Sequence, residues 1–174
     1  MFTDNAYVTI LLCSYLGVKD RNYKPYTALQ WNELGHRIVN SNIGEPAKLL
    51  NMSRENIINS IKISDSEADR IVNLLSRGAN IAFMLEDISR KGISVVTRSD
   101  KEYPKKLKSL LKKYSPPIIY YCGDLSLANK MGIGIVGSRN IDEDGIKFTQ
   151  LLAKKATEDN LVVFSGGAKG VDSI

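Results

Sequence analysis

Two glycine-rich turns, each standing directly after a short β-branched run, constrain this chain more than any other feature. The first run, residues 132–136, leads into Gly137-Ser138-Arg139; the second, residues 161–164, leads into Ser165-Gly166-Gly167-Ala168-Lys169-Gly170. Between them, residues 142–158 contain no proline and are long enough for four helical turns. A strand, a helix and another strand in that order form a parallel pair joined by a crossover. Parallel strands bring their carboxyl ends to one edge of the sheet, so the two turns are expected side by side.

That edge suits a negatively charged ligand. Glycines let an anion come close to backbone amides. Arg139 adds a planar fork for phosphate oxygens and Lys169 a point charge. Ser138 and Ser165 supply hydroxyls. The expected phosphate-binding set is therefore Gly137, Ser138, Arg139, Ser165, Gly166, Gly167, Lys169 and Gly170. Asp142 is the expected N-cap of the helix after the first turn, with Gly145 in its first turn, and the amides of that helix start would favour an anion as well.

Two better-known nucleotide signatures do not fit. Gly132, Gly134 and Gly137 satisfy the spacing of a dinucleotide-binding turn, but the first two lie inside the strand instead of after it. The acid wanted about twenty residues later would be Glu158 or Asp159, at the far end of a helix. No NAD or FAD is expected. The P-loop pattern does not occur. An enzyme acting on nucleotide derivatives is the alternative reading, and it needs a positioned acid and base. The carboxylates at hand are Asp142, Asp144 and Asp172; the first is expected to cap and the last to orient its loop, so no catalytic residue is assigned.

Upstream, residues 93–97 and 118–122 are further short strands, with a helix from Pro104 to about Lys113 between them. This alternation predicts a parallel sheet covered by helices. Earlier residues read as helices: one over residues 6–16 ending at Gly17, and one through Leu29, Trp31, Leu34, Ile38 and Val39. A third is expected to start at Ser64, capped reciprocally with Glu67, and to run to Gly92 with a stripe of Ala68, Val72, Leu75, Ala79 and Ala82. Gly78 weakens its middle by about 1 kcal/mol relative to Ala, enough to place a bend there. The expected division is a helical domain over residues 1–92 and a Rossmann-like α/β domain over residues 93–174.

The formal charge of +5 is concentrated. Residues 90–113 hold nine Lys or Arg against Asp100 and Glu102, so this segment carries +7 and the remainder −2. Such a segment favours polyanions. Cys13 and Cys122 read as free buried thiols, and with His36 they have no metal-ligand spacing, so no metal is expected. No apolar run reaches membrane-spanning length and no leader pattern opens the chain, which points to the cytoplasm.

These motifs occur in a specific order. Tyr103-Pro104 with Leu107 comes first, then Tyr114-Ser115-Pro116-Pro117 through Gly123, then Gly134-Ile135-Val136-Gly137-Ser138-Arg139, and last Phe164 through Asp172. In this arrangement the chain resembles the DNA-processing protein A (DprA/Smf) family over about seventy residues. The resemblance implies an extended Rossmann-like domain behind a helical one. It also implies binding of single-stranded DNA, delivery of that strand to a RecA-type recombinase during uptake or recombination, and a homodimer. Family DNA contacts carry over to Arg139 and Lys169, with the glycines and serines named above lining the pocket. Asp142 stands where the family usually has Ser or Thr, and Asp144 where it often has Tyr. By this pattern a helix should be starting at Ile174 and further strands should follow, so the sheet is expected to be incomplete. A third reading makes the helical part a protein-interaction module, with the bare sheet edge after residues 161–164 prone to self-association.

Overall fold

Helix α1 (Asp4–Cys13) buries Ala6, Val8, Thr9, Ile10, Leu11, Leu12 and Cys13, nearly its whole circumference. A helix apolar on every side has to be enclosed, and residues between Tyr26 and Ile81, with Val95 and Ile118, pack around it. Thr3 caps it, its hydroxyl accepting from the Ala6 amide. The computed structural model describes residues 2–20 and 22–174, which fall into two compact units, residues 1–125 and 126–174.

In the first unit, α2 (Ala28–Val39) starts with a reciprocal capping box of Thr27 and Gln30 and buries Trp31, Leu34 and Ile38. Leu29 and Val39 face solvent. A 3-10 turn over Pro46–Asn51 leads to α3 (Arg54–Ile61), capped by Ser53 and anchored by Ile57 and Ile61. The expected third helix is two helices, α4 (Asp65–Leu75) and α5 (Gly78–Arg90). The break falls at Ser76 and Arg77, next to Gly78. Arg77 is buried there, and its guanidinium donates to the carbonyls of Leu11, Ser14, Leu16 and Leu74. Carbonyls at the end of α1 lack intrahelical partners, and this side chain supplies donors for them.

Ser64 caps α4 as its spacing predicts, accepting from the Glu67 amide at 3.3 Å. The Glu67 carboxylate accepts instead from the Tyr26 hydroxyl at 2.7 Å. The buried stripe is Ala68, Ile71 and Leu74, then Ile81 after the break. Val72 already lies off the buried face of α4, and Ala79 and Ala82 are exposed beyond the break, which resets a phase that a single long helix would have carried through. Cys13 is buried, and burial pushes its thiol pKa well up. Cys122 is exposed, contrary to expectation.

Strands β1 (Ser94–Thr97) and β2 (Ile118–Tyr121) pair antiparallel, with Ser94 opposite Tyr121 and Thr97 opposite Ile118. The expected single parallel sheet is corrected here. Helix α6 (Lys105–Leu111) between them buries no residue and so cannot cover a sheet face as a crossover helix does. The connection closes on itself instead: the Arg98 amide donates to Pro117 O at 3.0 Å and the Tyr103 hydroxyl to Pro116 O at 2.8 Å. Val95 and Ile118 pack against Ile10, Leu11 and Ile81. That packing joins the hairpin to the helices and puts the boundary between units at Leu125 and Ser126, beyond the change of pattern at Ile93.

In the second unit β3 (Gly132–Gly134) and β4 (Val162–Phe164) are parallel, Gly132 facing Val162 and Gly134 facing Phe164. They are linked through α7 (Glu143–Glu158). The chain is thus a mixed helical and sheet protein, a helical unit with a hairpin followed by a partial Rossmann-like sheet. No helix among the described residues is long and apolar enough to cross a membrane.

Candidate nucleic-acid interface

The ladder of β3 continues one step past Gly134, where the Ile135 amide donates to Phe164 O at 2.9 Å and Ile135 is buried. The strand therefore contains Gly132 and Gly134, the frame that argued against a dinucleotide turn. Immediately beyond, the two glycine turns touch. The Val171 amide donates to Ser138 O at 3.1 Å. Gly170, at φ +82°, lies so close that a Cβ there would stand 2.1 Å from Ser138 O and 2.7 Å from Arg139 Cα. On the other side, a Cβ on Gly137 would come within 2.6 Å of the Val171 side chain. Gly170 lets backbone approach backbone, and Gly137 makes room for the Val171 side chain.

Arg139 and Lys169 extend from this junction. Both are exposed, and neither side chain has an ion-pair partner among the described residues. The other site residues are largely occupied in building the turns. The Ser138 hydroxyl donates to Asn140 O at 2.5 Å and accepts from the Asn140 amide at 3.1 Å. The Ser165 hydroxyl donates to Asp172 O at 2.9 Å, and the Gly166 amide donates to Asp172 Oδ2 at 3.1 Å. Asp172 orients the second turn, as its position suggested. These hydrogen bonds leave the two serines with acceptor capacity and no spare proton, which is the wrong polarity for an anion.

The start of α7 is likewise self-compensated. Asp142 accepts from the Gly145 amide at 2.8 Å, and the first turn carries Glu143 and Asp144. An external anion there would compete with three carboxylates, which weighs against the helix start as part of the anion site. What the geometry can offer a phosphate is the junction of the turns, with one guanidinium and one ammonium on the same rim.

The basic segment, residues 90–113, lies in the first unit and is not a uniform free track. Arg90 pairs with Glu86 at 2.5 Å and Lys91 with Asp87 at 2.7 Å. Arg98 is half-buried, donating through Nη2 to Asn32 Oδ1 at 3.2 Å while its Nη1 is buried without a partner. Sequence reasoning missed Val171, whose amide and side chain lock the second turn to the first. An isolated valine after a glycine carries no signal of such a contact.

Comparison with known proteins bears on this same region. The sequence model of the DNA recombination-mediator protein A family matches residues 94–174. The DNA processing protein DprA of Bacillus subtilis is 37% identical over 86 residues, covering 48% of this chain and 28% of that protein. Protein Smf of a Synechocystis species is 30% identical over 93 residues, covering 51% of this chain and 23% of that protein. The matched stretch thus spans about a quarter of the length of these curated relatives.

Proposed function

We propose that this chain, whose residues 94–174 match the model of the DNA recombination-mediator protein A family and are similar to DprA and Smf, serves DNA processing in recombination and transformation by binding single-stranded DNA at the junction of its glycine turns. The observation that carries this reading is the contact of Val171 and Gly170 with Ser138 and Arg139. It supports the reading because Arg139 and Gly170, the residue after Lys169, meet at that contact, and neither cation has an ion-pair partner among the described residues. A backbone phosphate fits that chemistry, and interactions of this kind position a strand without reading its sequence.

On this reading the chain is a binder and not an enzyme: Asp142 is committed to capping and Asp172 to the Gly166 amide. Gly137, Ser138, Ser165, Gly166, Gly167 and Gly170 shape the rim, while Arg139 and Lys169 contact phosphate. Resemblance to the family supports delivery of the strand to a RecA-type recombinase, a homodimeric whole protein, and action in the cytoplasm.

Fluorescence anisotropy of a labelled oligothymidylate, titrated across salt, tests the site. Removing one cation that neutralises a phosphate should lower the slope of log affinity against log salt by about 0.7. Arg139→Ala should show one such step, and Arg139→Ala with Lys169→Ala two. An unchanged slope in the double variant removes these residues from the interface.

A further inference from the structure

The first unit has a groove that the glycine turns do not explain. Its cleft of about 600 Å³ is lined by Tyr15, Tyr26, Met84, Tyr114, Pro116 and Tyr120, among others. Three of these rings are open to solvent: Tyr15 is 72%, Tyr114 58% and Tyr120 43% exposed. Tyrosine rings carry large apolar faces that are usually covered, so several of them around one cleft form a ready contact surface. Tyr120 is held in place by a 2.8 Å hydrogen bond between its hydroxyl and Ser14 Oγ. Tyr114 ends the 3-10 turn Lys112–Tyr114, and Lys113 Nζ lies 5.4 Å from its ring centre.

Past Tyr15 and Thr27 the cleft runs into a second depression, which adds Lys24 and Arg70. Arg70 stacks 3.8 Å over the Tyr26 ring and is fixed by hydrogen bonds to Lys24 O, Pro25 O and Gln30 Oε1. Its hydrogen bonds go to neutral acceptors, while Glu67, bonded to the Tyr26 hydroxyl, and Glu33 line a separate depression on its other side. Among the described residues, no Asp or Glu lines the cleft or the depression it runs into. Open aromatic faces bordered by cations, with no acid between them, match how single strands are held: bases stack while phosphates follow the positive edge.

We propose that this groove is a second site for single-stranded nucleic acid, one that stacks bases, on a different unit from the phosphate-holding turns. It extends the reading that the chain handles single strands, but it stands on different residues. A proline-rich peptide is the rival occupant, since such peptides also dock on aromatic ridges. The peptide needs no cations along its track, and the nucleic acid does; the lining offers Lys24 and Arg70 and no acid among the described residues.

The full chain should be photo-crosslinked at saturating protein to an oligothymidylate carrying 5-iododeoxyuridine, with the modified residues mapped by mass spectrometry. Crosslinks at Tyr15 or Tyr114 are expected, and they should persist in Arg139→Ala/Lys169→Ala. In anisotropy titrations, Tyr15→Ala/Tyr114→Ala should weaken binding by about fivefold or more with the salt slope unchanged, while Tyr15→Phe/Tyr114→Phe binds as the parent does. Both residues are exposed, and far-ultraviolet circular dichroism checks that the variants stay folded. Parental affinity in the alanine variant, or crosslinks confined to residues 137–140 and 165–170, overturns the groove and leaves the turns standing. A tyrosine-dependent proline-rich peptide that the oligonucleotide fails to displace overturns it too. Groove crosslinks with an unaltered slope in Arg139→Ala/Lys169→Ala would keep the groove and remove the turns.

Discussion

Gly170 shows how much a single position decides. Its φ of +82° lies in the left-handed region, and the space a Cβ would need is filled by the Ser138 carbonyl and the Arg139 backbone. Gly170→Ala therefore has to push the two turns apart or strain the backbone, at about 1–3 kcal/mol. The expected outcome is a second unit that unfolds more readily and a weaker affinity for oligothymidylate with a shallower salt slope, read by thermal melting and anisotropy. Gly167 is a useful contrast: it too has positive φ, at +68°, but no atom stands where its Cβ would go. Gly167→Ala should strain its own turn and leave the junction closed. The meeting of the two turns in the candidate site was legible at this scale, because glycine turns after parallel strands come to one sheet edge. What the serine hydroxyls do was not legible: whether they face a ligand or tie their own turn depends on Asn140 and Asp172, and only coordinates pair them.

Among the elements, the joint between α4 and α5 is the one where a local and a distant requirement coincide. Gly78 marks a weak point in any helix, and the chain breaks beside it, but the break is held open by Arg77 reaching α1. Burial lowers the Arg77 pKa, yet a guanidinium remains charged there because it keeps its protons while donating hydrogen bonds to several carbonyls at once. Arg77→Met keeps the bulk and deprives the carbonyls of Leu11, Ser14 and Leu16 of their donor. The cost should be about 3 kcal/mol, and Arg77→Lys should recover only part of it, since an ammonium cannot span carbonyls on two elements. Urea unfolding followed by the fluorescence of buried Trp31 measures both. Sequence periodicity found α2, the cap of α4, α7 and all four strands within a residue or two, and placed α1 but ran its end three residues too far, to Leu16 instead of Cys13. It could not give the direction of β1 against β2, since a run such as Ser94-Val95-Val96-Thr97 has the same pattern in either orientation. Nor could it show that Glu67 would leave the cap of its own helix for Tyr26, a partner 41 residues away.

Across the whole molecule, apolar burial is unevenly distributed, and that should govern dynamics. The first unit encloses most of α1 and gathers Val8, Leu12, Trp31, Leu34, Ile38, Leu49, Ile57, Ile71 and Leu74 into one core. In the second unit the buried side chains among the described residues are Ile135, Thr149 and Ala156, while Met131, Val136, Phe148 and Leu151 are each at least 66% exposed. Since stability against local opening follows the apolar packing that opening would break, the two units should open at different free energies. In native-state hydrogen exchange, amides of α1 should be the last to exchange, and those of β3, β4 and α7 should exchange well before them. Saturation with oligothymidylate should slow exchange in the second unit, because a ligand that binds only the closed turns stabilises them in proportion to its occupancy. Equal protection of both units without ligand would contradict the assignment of the sparse core to residues 126–174. Slowing confined to the first unit would leave the tyrosine groove as the place where the strand is held.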